Sequence, residues 1–241
     1  MRRFHFTSGQ IDRHAVTAVA WYEFVRSSEI QHVLGHVPGS YGRALEVGAG
    51  NGFQSQYLAE RCTSLVCTEV NPASHAELGR SFLARERPNV SYVCCDARDL
   101  GRFADGEFDT IYSSNVLEHV TPLPAALREF HRVLKHDGRM LHLLPTRAWK
   151  TGYFLGSLLK RERPQVHGEF AGHGAEWQGY GRATWAATFA AHGFDVVEVV
   201  GMPFYLGHAN AFRPLLKAGN ALRLAGSYLY VLKKSDVGRG R

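Results

Sequence analysis

The chain has 241 residues, 28 Lys and Arg against 22 Asp and Glu, and 45% hydrophobic residues, enough for one α/β domain with appendages and a sizeable core. No run approaches the ~18 to 20 apolar residues of a membrane-spanning helix, and the basic start Met1-Arg2-Arg3 leads into Asp12, Arg13 and His14 rather than an apolar signal core, so a cytoplasmic protein is expected. Cys62, Cys67, Cys94 and Cys95 form neither a disulfide framework nor a CxxC pair, and the net charge of +6 lies wholly after Gly201, which argues against a nucleic-acid-binding face.

In chain order, residues 10–37 repeat apolar side chains at three and four (Ile11, Val16, Val19, Ala20, Phe24, Val25, Ile30, Val33, Leu34), which predicts a helical cap ahead of the first strand. A turn at 38–42 precedes Ala44-Leu45-Glu46-Val47, a short strand that runs into Gly48-Ala49-Gly50-Asn51-Gly52. Helices are expected over 53–60 and 72–84, with strands over 65–70 and 90–96 between and after them. Each of the first three strands closes on an acid: Glu46, Glu69 and Asp96. A fourth strand over 108–113 leads into Ser114-Asn115-Val116-Leu117-Glu118-His119-Val120. Leu123, Leu127, Phe130 and Leu134 mark a helix stopped by Asp137-Gly138, and residues 139–144 form a fifth strand. Strands alternating with helices and ending in acids are what a parallel doubly wound sheet needs to gather polar groups along one edge.

Three glycines in five residues let the backbone turn sharply and let a ligand lie directly against it. The absence of a following Gly-Lys-Ser/Thr excludes a nucleotide P-loop. An acid entering the loop would repel a pyrophosphate, so Glu46 favours a cofactor with a cationic near end. S-adenosylmethionine, with an ammonium and a sulfonium against one carboxylate, fits. Alone, the loop also allows a dinucleotide or an unliganded turn.

Taken together, residues 45–52, 68–71, 95–97, 108–120 and 129–139 resemble the class I S-adenosylmethionine-dependent methyltransferases, particularly those acting on small molecules. The resemblance covers roughly residues 44–145 and is looser over 185–200. It implies a Rossmann-like, seven-stranded, mostly parallel sheet with the last strand antiparallel. It places the methionine part of the cofactor at Glu46, Gly48, Gly50 and Gly52, the ribose hydroxyls at Glu69, the adenine at Asp96 and Ala97, and the ammonium and methyl group near Asn115. His119 is the candidate general base, with a loop-holding role as the alternative. In some quinone-pathway O-methyltransferases two Glu and a His of this segment bind a divalent metal. The positions here are Asn115, Glu118 and His119; an amide replaces one carboxylate, so no metal is expected.

Residues 146–180 form an insertion after the fifth strand, least like the family, where acceptor pockets are shaped. His167, Glu169 and His173 are its substrate-site candidates, and a glycine-rich mobile lid is the competing reading. A helix over 185–192, a strand over 194–200, a short basic amphipathic helix opened by Arg213-Pro214 and a closing strand over 227–233 follow, with a tail from Asp236 expected to be disordered. In the short helix Leu215, Leu216 and Leu222 sit apart from Arg213, Lys217 and Asn220, a candidate peripheral membrane contact beside the simpler reading of a docked helix. The expectation is a single domain (cap 1–42, cofactor half 43–145, substrate half 146–241) that methylates a small-molecule acceptor. An oxygen of a natural-product, sugar or lipid-linked compound is favoured. N-methylation and a non-catalytic cofactor-binding subunit are the alternatives.

Overall fold

The computed structural model describes residues 1, 3–15, 17–74, 76, 87–206 and 213–236. Its centre is a seven-stranded sheet of β1 (Gly42–Val47), β2 (Cys62–Glu69), β3 (Val90–Cys94), β4 (Phe108–Ser114), β5 (Leu134–Pro145), β6 (Phe194–Gly201) and β7 (Ser227–Lys234), in the order β3-β2-β1-β4-β5-β7-β6. Neighbours from β3 to β5 pair in parallel, and β7 runs antiparallel to both β5 and β6. The strand order reverses between β1 and β4, so their carboxyl ends open the crevice where ligands of doubly wound sheets bind. Ala44 to Val47 are buried throughout, as a strand covered on both faces requires.

Helices α1 (Ser8–His14), α2 (Ala18–His36), α3 (Ser55–Ala59), α4 (Leu123–Val133), α5 (Arg147–Leu159), α6 (His173–Gly179), α7 (Arg182–Ala191) and α8 (Arg213–Ala221) complete the described elements, with a 3-10 turn at Leu117–His119. Ala126, Leu127, Phe130 and Val133 of α4 fall on one helical face and are fully buried with Phe189 of α7 on one side of the sheet. Ile30, Val33 and Leu34 of α2 and Leu58 of α3 cover the other side.

The cap is two helices rather than one. Thr7 and Thr17 each accept from the backbone N–H three residues on, and these two caps start separate helices. Val19, read as core, is exposed; Trp21 is buried and donates from its indole to the Leu206 carbonyl at 2.8 Å. The helix over 53–60 shrinks to α3. That over 72–84 begins at Pro72, and residues 75 and 77–86 of it lie outside the described residues, as does the tail over 237–241.

Asp137-Gly138 does not stop a helix. α4 ends at Val133, and β5 starts at once: Leu134 pairs with Phe108 and Arg139 with Thr110, so the intervening residues form a bulge inside the strand. The insertion after β5 carries helices α5 and α6, with an irregular stretch between them. Helix α8 docks on α1 with Leu216 buried, Arg213 donating to the Ala15 carbonyl and Lys217 2.7 Å from Asp12. Among the described residues no helix is long and apolar enough to cross a membrane.

Candidate active site

The glycine loop leaves β1 with Gly48, Gly50 and Gly52 at φ of 68°, 57° and 80°. At Gly48 the need for glycine is steric as well: a Cβ there would lie 2.6 Å from Val116 of the segment leaving β4. Beside Gly50, by contrast, nothing would meet a Cβ within 4 Å, so the loop's outer face is open for a ligand. Glu69, at the end of β2, accepts from Gly50 N at 3.0 Å with one oxygen and from Asn71 N at 2.9 Å with the other. It fixes the loop and keeps further lone pairs for a diol.

Two cavities flank this loop and share Gly48. One, about 280 Å³, is bounded by Glu46, Gly50, Asn115, Gln54, Tyr22 and Arg26. The other, about 470 Å³, includes Asp96, Ala97, Val116, Val120, His119 and Glu169 in its walls. Glu46, Gly50 and Asn115 thus line the smaller cavity and Asp96 and Ala97 the larger, on either side of Gly48, and Glu69 supports the loop between them.

Glu46 is almost wholly enclosed, with the Cys67 thiol 3.3 Å from its carboxylate. Burial pushes its carboxyl up to about 7, and hydrogen bonding from Ser55 and Cys67 offsets only part of that. Asp96 is different. The Arg98 guanidinium grips it at 2.6 to 3.1 Å and holds its carboxyl below the usual carboxylate range. Asn115 has φ of 53°, in the left-handed region that asparagine enters more readily than other non-glycine residues.

Its side chain is met from α2 by a group absent from the sequence expectations. Arg26 is partly buried and ion-paired with the fully buried Glu29 at 2.8 Å, and its Nη2 donates to Ser114 Oγ at 2.5 Å. With the Asn115 amide oriented oxygen inward, that oxygen accepts from Nη1 and Nη2 at 2.6 and 2.8 Å. Glu29 also accepts from Ser227 Oγ at 2.6 Å, and Gln54 donates to the Arg26 carbonyl at 3.0 Å. Burial alone would make the guanidinium easier to deprotonate; Glu29 and the nearby Tyr205 outweigh it and keep it charged. The signal was present in the sequence: Glu29 falls on the buried stripe Trp21, Val25, Glu29, Val33, a charge where the helical period calls for a core residue.

A second group lies across the mouth of the larger cavity. Glu118 is fully buried, with His119 Nε2 4.0 Å and His167 Nε2 3.8 Å from its Oε1. His119 and His167 meet edge to face, their ring centres 4.6 Å apart, and Trp149 lies against His167 at 5.0 Å. The insertion reaches this point because Gly168, at φ of 87°, packs on the Glu118 carbonyl where a Cβ would lie at 2.6 Å, and Glu169 N donates to that same carbonyl. Tyr180 Oη donates to the His167 carbonyl at 2.6 Å, and His167 N to Glu176 at 2.9 Å. This stretch is therefore tied down rather than a loose lid. His173 turns elsewhere, toward Glu176 and Phe154. Glu176 is itself buried against Lys150 at 2.6 Å.

The donor set fits S-adenosylmethionine on the chain's own features: an open glycine cradle, a buried carboxylate and a partly buried guanidinium at one end, and Asp96 with apolar walls at the other. Arg26 would face the cofactor's carboxylate, Glu46 its ammonium and Glu69 its ribose. Replacing Glu69 by Ala should weaken S-adenosylhomocysteine binding at least tenfold by calorimetry, because both the loop's anchor and a charged acceptor are lost, about 1.5–3 kcal/mol for a charged hydrogen bond. Unchanged affinity would remove Glu69 from the cofactor site.

Fold and crevice together define a class I methyltransferase architecture, and comparison with known proteins agrees. Residues 45–142 match the family model described as a methyltransferase domain. Over 108 residues the chain is 37% identical to the demethylmenaquinone methyltransferase of Beutenbergia cavernae, an alignment covering 45% of this chain and 42% of that protein. It is 25% identical over 145 residues to the ubiquinone biosynthesis O-methyltransferase of Xanthomonas oryzae pv. oryzae, covering 56% and 60%. The alignments thus span about half the length of these curated relatives. A solved S-adenosylmethionine-dependent methyltransferase from Aquifex aeolicus superposes with a TM-score of 0.59 over 94% of this chain and 98% of that one, at 13% identity, which shows the shared fold. Residues 45–142 thus match a methyltransferase domain, and the chain as a whole has the fold of the class I S-adenosylmethionine-dependent methyltransferases.

Proposed function

We propose that the chain transfers a methyl group from S-adenosylmethionine to a hydroxyl oxygen of a small, aromatic or quinol-type acceptor. The observation that carries this reading is the position of His119, exposed in the wall of the cavity that also holds Gly48 and Asp96, opposite the insertion's Glu169. The cofactor supplies the activated methyl group. What the protein adds is alignment and exclusion of water, together with a group that removes the hydroxyl proton. In the metal-free chain His119 is that group, held over Glu118. His167 and Trp149, their rings tilted 57° to each other, place aromatic groups beside it, and the quinone-related names of two relatives support an aromatic acceptor. A lipid-linked acceptor would meet the chain at the basic segment after Gly201, where Leu222 and Leu224 are exposed beside Arg223.

The test is release of S-adenosylhomocysteine with panels of catechols, hydroquinones and amines. Turnover is expected with hydroxyl acceptors; turnover with amines alone would overturn the reading. His119→Ala should lower that turnover by roughly 10²–10⁴-fold, the usual contribution of a positioned acid or base, with S-adenosylhomocysteine affinity retained. Full turnover in the variant would exclude His119 from the chemistry.

A further inference from the structure

We propose that Glu118, His119 and His167 form a divalent transition-metal site at the acceptor end of the crevice. Their ligand atoms, one carboxylate oxygen and two imidazole nitrogens, all lie within 4.8 Å of one another. Independently, both carboxylate oxygens of Glu118 are buried without a hydrogen-bond partner, and burying an ionised carboxylate without compensation is costly. Lys150, the buried ammonium of α5, is committed to Glu176 and to the Gln165 carbonyl. What faces Glu118 is two imidazoles, neutral ligands that become useful to it once a cation sits between all three.

The motif in the sequence, Asn115-x-x-Glu118-His119, lacks a second carboxylate and argued against a metal. The fold supplies the third ligand from elsewhere. Gly168 seats the insertion on the Glu118 carbonyl, and the two bonds that hold the His167 backbone place its ring over the carboxylate. Ligand atoms on one zinc-sized ion stand about 3–3.5 Å apart, given bonds near 2.0–2.2 Å. The present 3.8 and 4.0 Å separations close by a small rotation of two rings that are both partly exposed. One carboxylate with two imidazoles suits zinc, iron(II), cobalt or manganese and leaves coordination positions open, unlike a closed structural site.

This inference deepens the reading given above and rests on it for its chemistry. An acceptor hydroxyl bound to the open position would be polarised by the ion and lose its proton more readily. His119 would then be a ligand rather than the proton acceptor.

The experiment is titration of the metal-free full-length chain with cobalt(II), followed by its ligand-field absorption, and with zinc in competition with a chromophoric chelator. One ion per chain is expected. Glu118→Gln, His119→Ala and His167→Ala should each weaken binding by more than the roughly 10–100-fold typical of losing an outer partner of a metal ligand. His173→Ala, which removes a nearby imidazole outside the cluster, should leave the absorption unchanged. Because the chain has 13 histidines, binding that survives both Glu118→Gln and His167→Ala would place the ion elsewhere and overturn the proposal. So would failure of the wild-type chain to bind either ion. S-adenosylhomocysteine binding and thermal unfolding, measured on the same samples, show that each variant is folded. They also separate failure of the metal site from failure of the methyltransferase reading, since a chain that binds the cofactor product without metal loses only the former.

Discussion

Replacing Arg26 by Ala is expected to cost about 3–5 kcal/mol of stability, the usual penalty for leaving one member of a buried ion pair alone. Glu29 is fully buried, and without the guanidinium it keeps only the hydrogen bond from Ser227 Oγ. That loss is a large fraction of the ~5–15 kcal/mol that holds a typical domain folded, so the urea midpoint should fall markedly. Two further effects separate this from a general packing defect. Asn115 loses the donors that face its amide oxygen. S-adenosylhomocysteine binding should become too weak to measure at micromolar concentrations, since the positive charge in the smaller cavity is gone. The double variant Arg26→Met, Glu29→Leu should recover most of the stability, because an apolar pair of similar volume replaces a buried ion pair at little cost, while cofactor binding stays lost. Recovery of binding in the double variant would show that Arg26 is structural only.

Glu46→Gln should act in the opposite sense on stability. The folded chain holds the Glu46 proton up to about pH 7, whereas a free glutamate releases it near pH 4.5. Between those values the folded state binds more protons than the unfolded state, so stability falls as pH rises through the window and the loss is complete above it. At 1.36 kcal/mol per pKa unit the loss is about 3 kcal/mol. The glutamine variant carries no such titration. It should melt several degrees above wild type at pH 8, and the difference should vanish near pH 4.5. Binding runs the other way: a cationic ammonium wants the ionised carboxylate, so wild-type affinity for S-adenosylhomocysteine should rise through pH 7. The variant should bind weakly with no such rise. Equal melting at pH 8 would mean that Glu46 is not held protonated in the empty protein.

The strand ends were readable because each carries a short apolar run closed by an acid, and burial on both faces makes such runs continuous. The α4 boundary was misread because Asp-Gly is a turn signal in isolation. Inside a sheet the same pair serves as a bulge, and only the pairing of Leu134 with Phe108 tells the two apart. Arg26, Lys150 and Glu176 were invisible for another reason. A charge on a helix is read as solvated unless the docking partner is known, and the partners here are Asn115, the Gln165 carbonyl and His167, distant along the chain or across a loop. The juxtaposition of His167 with Glu118 depended in turn on one glycine at positive φ, whose necessity is set by a backbone it meets only after folding.

The cap's attachments have a consequence for synthesis of the protein. Glu29 is held by Ser227, Phe6 N by Asn220, Trp21 by Leu206 and the Ala15 carbonyl by Arg213. Residues of the cap are thus fastened by residues 185 to 214 positions later in the chain. A nascent chain that has released residues 1–145 already displays the glycine loop, the three strand-end acids and the Glu118-His119 pair. Yet α2 has no completed seat, and Arg26 has no fixed place beside Asn115. The crevice is therefore complete only once β7 lies between β5 and β6, so cofactor binding should report the docking of residues 201–206 and 213–236 on the cap rather than the presence of the motif-bearing segment alone.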